Sequence, residues 1–302
     1  MNRKPYTPSE RGFLLLTSHL GDAERKPLTA AQFRELTKRV KGMPSGDLSR
    51  DVEASDFMAA GYSVGFAKHI VGLLQDEPLL DWYLARGEKQ NCVCITRATQ
   101  QYPLLVRRRL GADSPGVLWA KGDLSLLNTP SISLVGSREL REENWIFAEV
   151  VGRQAAIQGL TLVSGNARGA DKAAQKACLE AGGRVISVVA DSLAQHSSSE
   201  RILYLSEDGF EEAFSAQRAL SRNRVIHTLG QMVFVAQSDL GKGGTWDGTV
   251  KNLRQGWSTV ACFRDGSKAS VELEQMGAWL IGLEELSDLG GLKQNEYSLF
   301  DR

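Results

Sequence analysis

The sequence predicts an α/β fold: a doubly wound, mostly parallel sheet preceded by a small helical N-terminal domain. Three observations carry this expectation. From Ser131 onward, short continuous apolar runs alternate with helical periodicity, the pattern of strands covered on both faces. Polar, glycine-containing loops follow several of those runs, as they do where ligands bind at the carboxyl edge of a parallel sheet. Before about residue 90 the chain shows helical spacing interrupted by Gly and Pro. Together these features describe a Rossmann-like sheet.

Residues 1–90 read as a small helical domain. Thr7-Pro8-Ser9-Glu10 precedes the apolar stretch Phe13–Leu16 and marks a helix start. Thr29-Ala30-Ala31-Gln32 is a capping-box pattern opening a helix through Leu36 and Val40. Helical spacing continues from Asp51 to Met58 and from Phe66 to Leu74, with a turn at Gly61–Gly65 between them. A helix-hairpin-helix or a sterile-alpha-motif bundle would each suit this pattern.

Residues 91–130 read as a connector and sheet extension. Cys92–Thr96 alternates like a short strand, Tyr102-Pro103 leads into a helix, and Val117–Ala120 reads as a second strand. Residues 131–302 carry the alternating domain. Ile132–Val135 is its first strand, and a helix through Trp145, Ala148, Val151 and Ala155 ends at Gly159. Leu160–Val163 is the next strand, and Ala173–Ala181 a helix stopped by Gly182-Gly183. Val185–Val189 follows as a strand. The stretch after it reads as helical material, until Met232–Ala236 and Thr259–Phe263 supply two more strands.

Composition narrows the function classes. The chain has 302 residues, 42% hydrophobic and 24% charged, enough for one sizeable core and a small accessory domain. Lys plus Arg and Asp plus Glu both number 36, so any cationic surface must be local. Four cysteines are too few for a disulfide framework, and Cys92 and Cys94 lack metal-knuckle spacing; Cys178 and Cys262 read as small buried thiols. The four histidines, His19, His69, His196 and His227, share no metal spacing, and His227 reads as a core residue or helix-end partner. No cofactor or metal is expected. The opening Met-Asn-Arg-Lys-Pro meets no long apolar run, so no signal peptide is expected, and no window reaches the length of a membrane span. The expectation is a soluble cytoplasmic protein without a membrane partner.

Three loops carry the chemistry. Gly136-Ser137-Arg138 places a glycine, a hydroxyl and a forked donor between a strand and a helix start, which suits a phosphate. Ser164-Gly165-Asn166-Ala167-Arg168-Gly169-Ala170-Asp171 combines two glycines, a hydroxyl and an arginine; Asp171 reads as a cap or loop anchor. It matches neither the dinucleotide fingerprint nor a Walker loop. Gly241-Lys242-Gly243-Gly244-Thr245 gathers a cation, backbone amides and a hydroxyl just before a helix, where Thr245 would alternatively serve as its N-cap. Arg222-Asn223-Arg224 would clamp phosphates or lock loops through carboxylate pairs. Trp246, beside the third loop, offers a face on which a base would stack, whereas Trp145, Trp257 and Trp279 read as core. Arg107-Arg108-Arg109 reads as a solvated helix face or an extension of a nucleic-acid path.

Tyr102-Pro103-Leu104-Leu105, Val117–Asp123, Gly136-Ser137-Arg138, Ser164–Asp171, Arg222–Ile226 and Lys242-Gly243 occur in the order found in DprA/Smf proteins. The chain resembles that family over about residues 90–285. The run Glu274–Ile281 resembles the family's glycine-alanine helix near the end of its Rossmann domain. The chain departs from the pattern at Gln175, where a histidine is usual nearby, at Ala170, and in Gly243–Thr249, and too few residues follow about 285 for the winged-helix domain many members append. It resembles a divergent member.

The resemblance implies a non-enzymatic protein that binds single-stranded DNA, forms a homodimer and helps load a RecA-type recombinase in transformation or recombination. It implies backbone phosphate contacts from Arg138, Arg168 and Lys242, with Arg222 and Arg224 lining or bracing the pocket. Gly136, Ser137, Ser164, Gly165 and Gly169 would shape it and offer amides, with Asn223, Gly243, Gly244 and Thr245 alongside. The alternative is a small-nucleotide sensor, with defence as one setting, or a phosphoribohydrolase-like enzyme. Gly243-Gly244-Thr245 faintly matches that group's loop, and Asp171 or Asp247 would be the required carboxylate.

Overall fold

The computed structural model describes residues 6–41, 51–197, 199–207, 209–289 and 292. Met1–Pro5, on which the expectation of no signal peptide rests, lie outside the described residues. The chain divides into two compact units, Met1–Tyr102 with Pro115–Leu118, and Pro103–Ser114 with Trp119–Arg302. The divide thus falls inside the stretch read from sequence as a connector. No helix among the described residues is long and apolar enough to cross a membrane.

The first unit is built from α1 (Pro8–Thr17), α2 (Ala30–Lys41), α3 (Ala54–Ala59), α4 (Val64–Gln75), α5 (Glu77–Lys89) and the strand β1 (Val93–Thr96). Both predicted N-terminal signals are made. The Thr7 hydroxyl accepts from the Glu10 amide while Glu10 accepts from the Thr7 amide. Thr29 and Gln32 exchange the same pair of bonds at 2.9 and 3.2 Å. Each box satisfies two amides that the helix start leaves without partners. Leu36, Phe57, Ala67, Ile70 and Leu73 close the apolar core. Buried Arg25 ties α1 to α4 by donating to the carbonyls of Leu15, Ser18 and Leu73 and to Asp76.

The second unit opens with α6 (Leu104–Leu110), then takes up β2 (Val117–Lys121) from Trp119 onward. There follow β3 (Ser131–Val135), α7 (Glu142–Ile157), β4 (Thr161–Ser164), α8 (Ala170–Glu180), β5 (Arg184–Val188) and β6 (Ile202–Ser206). The remainder is α9 (Ala216–Ser221), α10 (Asn223–Leu229), β7 (Met232–Val235), α11 (Gly243–Gln255), β8 (Thr259–Phe263), α12 (Lys268–Gln275) and β9 (Trp279–Ile281).

Its strands run in the order β2-β6-β5-β4-β3-β7-β8-β9. β2 pairs antiparallel with β6, Trp119 opposite Ser206, and every other pairing is parallel. This is the doubly wound sheet that the alternating apolar runs imply. Period-two alternation decides which helices cover which face. Ile132 and Leu134 of β3 join Phe147, Ala148 and Val151 of α7 and Ala170, Ala174 and Cys178 of α8 in one buried cluster. Ser133, one residue out of phase, points to the opposite face, where its hydroxyl donates to the carbonyl of Ile226 in α10. All four cysteines are buried, and none forms a disulfide among the described residues.

Four local expectations are corrected. The stretch read as helical between Val189 and Met232 contains β6, whose Leu203 and Leu205 are buried while Ile202 and Tyr204 are only half-buried. That alternation over five residues is too short to stand out from its surroundings. Glu274–Ile281 is not one helix: α12 ends at Gln275, Gly277 takes φ +106°, and the chain enters β9. The left-handed glycine lets the amides of Gly277 and Ala278 reach back to the carbonyls of Glu274 and Leu273. Trp145 is 43% exposed on α7 and donates from Nε1 to Glu149, while Trp257 and Trp279 are half-buried. Arg109 is a structural residue, its guanidinium collecting the carbonyls of Thr228, Gly230 and Gln231 where α10 ends.

Candidate nucleotide and phosphate site

Strand order reverses at β3. From it the chain winds one way through β4, β5 and β6 and the other way through β7, β8 and β9. A crevice opens at the carboxyl ends of strands at such a switch point, because the loops leaving β3 and β7 diverge to opposite faces. The loop after β3 carries Gly136, Ser137 and Arg138, and it is stapled to the loop after β7. The Ser137 amide donates to the Gln237 carbonyl at 3.0 Å. The Gln237 side chain in turn donates to the Glu139 carbonyl and accepts from the Arg141 amide. Gln237 drew no notice in the sequence, since a lone glutamine has no periodic or spacing signature.

The second loop is held from within. Asp171 at the start of α8 accepts from the amides of Gly165 (3.0 Å) and Ala167 (3.2 Å) and is buried, so it is the loop anchor expected of it. Burial raises its pKa, opposed by the positive charges of Arg222 and Arg138 and by those two amides. The Gly165 amide is therefore not offered to a ligand, contrary to expectation. Gly169 has φ +86°, and a Cβ there would lie 2.4 Å from the Ser137 carbonyl oxygen and 2.6 Å from that of Arg138. Only glycine lets loops one and two approach this closely. Ser164 is corrected as well. It is fully buried, its hydroxyl accepting from Gln175 Nε2, which also donates to Ser187. Gln175 and the two serines form a closed polar group inside the unit, and Ser164 does not line the cleft.

The third loop ends in the amino terminus of α11. Lys242, not Thr245, is the N-cap residue, and no side chain caps the helix. The first turn of α11, Gly243, Gly244 and Thr245, therefore lines the cleft at the positive end of the helix dipole. Asn223 fixes this end by donating from Nδ2 to the Gly244 carbonyl at 3.0 Å. Trp246 is half-buried and is not among the residues lining the cleft, so the structure does not bring it to a stacking position.

These loops surround a cleft of about 760 Å³ lined by Gly136, Ser137, Arg138, Arg168, Arg222, Asn223 and Lys242–Thr245. An adjoining pocket of about 430 Å³ shares Arg138, Arg168 and Arg222 and adds Gly165, Asn166, Asp191 and Phe214. Arg138 and Lys242 are exposed. Arg168 is exposed too, and its 3.4 Å pair with Glu139 is a solvent-facing contact that holds it weakly. Arg222 differs: it is 7% exposed, donates to the Val188 carbonyl at 2.6 Å, and its Nε has no partner among the described residues. Burial lowers its pKa, and the charge of Asp171 opposes that shift. Arg224 lies elsewhere. Its guanidinium is committed to Glu207 at 2.9 Å and to the Asp113 carbonyl, so it braces loops rather than lining the cleft.

His227 touches the cleft but brings no charge to it at neutral pH. It is fully buried, with Nδ1 3.2 Å from Asn252 Nδ2, and burial lowers its pKa to about 4. Of the two carboxylates considered for hydrolysis, Asp171 lines the cleft with its Oδ2 taken by two amides, and exposed Asp247 is absent from the lining. The carboxylate that does face the smaller pocket is Asp191, 2.9 Å from His196 Nε2, with the His196 ring stacked on Tyr204. Phe214, 58% exposed, supplies that pocket's aromatic wall. Sequence reading missed both, because they lie in the irregular chain around β6.

A doubly wound sheet whose switch point opens into a cleft lined by arginines, a lysine and a helix amino terminus defines a Rossmann-like protein with a polar crevice at its switch point. The profile of the family described as DNA recombination-mediator protein A matches residues 93–281. The chain belongs to that DprA/Smf family. It is 30% identical over 217 residues to the DNA processing protein DprA of Bacillus subtilis, covering 67% of this chain and 72% of that protein. Among solved structures it is similar to DprA from Streptococcus pneumoniae, with a TM-score of 0.58 and 24% identity over 84% of this chain and 95% of the other. It is also similar to DprA from Helicobacter pylori, with a TM-score of 0.56 and 21% identity over 68% and 96% of the two chains. These structural likenesses show the fold.

Proposed function

We propose that the cleft at the β3–β7 switch point grips the backbone of single-stranded DNA, and that the chain is a non-enzymatic DNA-processing protein. The observation that carries this reading is the convergence of Arg138, Arg168, Arg222 and Lys242 with the uncapped amino terminus of α11 on one cleft. Cations and amides of this kind hold phosphates without reading sequence. Family membership supports it, as does the Helicobacter pylori relative, described by its single-stranded DNA binding mode. The same reading makes a RecA-type recombinase the receiver of the strand, a homodimer the working form, and the cytoplasm the place of action.

The test is fluorescence anisotropy of a single-stranded oligonucleotide, with a duplex and free nucleotides as competitors, across a salt series. Tight, salt-sensitive, single-strand-selective binding that falls on joint Arg138→Ala and Lys242→Ala substitution is expected. Absence of binding at low salt, or binding indifferent to both substitutions, refutes the reading. Light scattering and co-purification with a recombinase check the other two assignments. One observation favours a second reading, a nucleotide hydrolase: the Asp191–His196 pair faces the smaller pocket. Release of free base from nucleoside monophosphates would establish it.

A further inference from the structure

The pocket beside the strand cleft has features that an internal stretch of DNA backbone does not require. Its floor is Arg222, whose side chain is more than nine-tenths buried yet makes one hydrogen bond, to Val188, and leaves Nε without a partner among the described residues. Burying one of the guanidinium's five N–H donors, at Nε, without a partner is costly. Arg138 and Arg168 stand over the same pocket. Burial lowers the Arg222 pKa most; the charges of Asp171 and Asp191 oppose that shift, and Arg138 adds a smaller lowering.

Charge and shape then narrow the ligand. Within the lining three guanidinium groups face one carboxylate, Asp191, while Asp171 beside Arg222 and Glu139 beside Arg168 lie outside it. That surplus matches a phosphate monoester, which carries about −1.5 to −2 at neutral pH, better than the single charge of an internal diester. The volume of about 430 Å³ falls in the range of small-ligand sites. Phe214, 58% exposed, presents an aromatic face to the same space, and every base has a π-face to lay against it. Asp191 adds an acceptor suited to the amino edge of a base, held in place by His196.

We propose that this pocket binds a nucleoside 5′-phosphate, its phosphate on Arg222, Arg138 and Arg168 and its base against Phe214, and that the nucleotide is the 5′-phosphorylated end of the strand held in the adjoining cleft. The choice of a strand end rests on the single-strand reading above, since the pocket and the cleft share all three arginines.

The experiment compares the full chain's affinity for one 3′-labelled single strand carrying either a 5′-phosphate or a 5′-hydroxyl. A circular single strand and a free deoxynucleoside 5′-monophosphate serve as competitors. The phosphorylated strand is expected to bind about tenfold tighter, the worth of one charge-assisted contact. Phe214→Ala, an exposed change, and Arg222→Lys should each bring that ratio toward one. The monophosphate should displace the phosphorylated strand where the unphosphorylated nucleoside does not. Equal affinity for the two ends, with no competition by the monophosphate, overturns the proposal. If the circle and both ends bind alike, the strand reading survives and this one falls. If no strand binds, the strand reading falls, and direct binding of the monophosphate decides whether the pocket takes a free nucleotide. A preference that persists in both variants overturns the assignment of these residues.

Discussion

The Arg222 guanidinium fills the space into which a side chain at position 165 would grow: a Cβ on Gly165 would lie 1.6 Å from Nη1. The glycine of the second loop thus makes room for a buried cation, while its own amide is spent on Asp171. Gly165→Ala must displace Arg222. Because the displaced group is the far end of a flexible side chain, the fold should survive with a loss of about 1–2 kcal/mol. Single-strand affinity should drop about tenfold, as one charged contact is lost. Wild-type affinity in this variant would remove Arg222 from the binding surface.

Gly169→Ala should be far more damaging. Here the neighbours of an added Cβ are the backbone carbonyl oxygens of Ser137 and Arg138, at 2.4 and 2.6 Å, and φ is +86°. Backbone cannot swing aside, so loops one and two must separate. Urea denaturation should show a loss of about 3 kcal/mol or more. A midpoint close to wild type would mean that the two loops are not packed as described.

The salt dependence of binding counts contacts. For single strands each neutralised phosphate adds about 0.7 to the slope of log K against log salt. Arg138→Ala with Lys242→Ala should therefore flatten that slope by about 1.4 as well as weaken binding. Weakening with an unchanged slope would point to a change in fold instead of two lost phosphate contacts.

Arg109 should behave in the opposite way. It holds three carbonyls around the end of α10 and lines neither the strand cleft nor its adjoining pocket. Arg109→Ala should cost about 2 kcal/mol or more, since buried carbonyls lose charged donors. Strand affinity of the folded variant should stay at the wild-type value.

His227 gives a pH signature. Burial lowers its pKa from 6.5 to about 4. The unfolded chain therefore takes up a proton below pH 6.5 that the folded chain refuses until about pH 4. Its contribution to stability is full above 6.5 and is lost as pH falls toward 4, by on the order of 3 kcal/mol in total. Asp171, whose pKa burial raises, acts in the opposite sense. The informative quantity is therefore the difference between wild type and His227→Gln, whose denaturation midpoint should vary less over that range. Parallel pH profiles would show that His227 is not buried neutral.

The apolar runs at Ile132–Val135, Val185–Val189 and Met232–Ala236 specified the parallel sheet, because strands covered on both faces must be apolar throughout. The three polar loops located the crevice, because loops leaving such strands gather at one edge. In this way the sequence determined the fold, the family and the neighbourhood of the site. Which side chains enter that neighbourhood was decided by packing. Ser164 and Gln175 close on one another inside the unit, Arg224 is taken by Glu207, and Trp246 stands outside the lining. Local patterning follows period and spacing, and cannot distinguish an arginine ion-paired with a carboxylate from one that is not. Arg222 and Arg224 differ by two positions, yet only Arg222 is turned into the crevice with donors to spare. That distinction depends on groups far apart in the chain, Gly165, Val188, Asp191 and Glu207, which only the tertiary structure brings together.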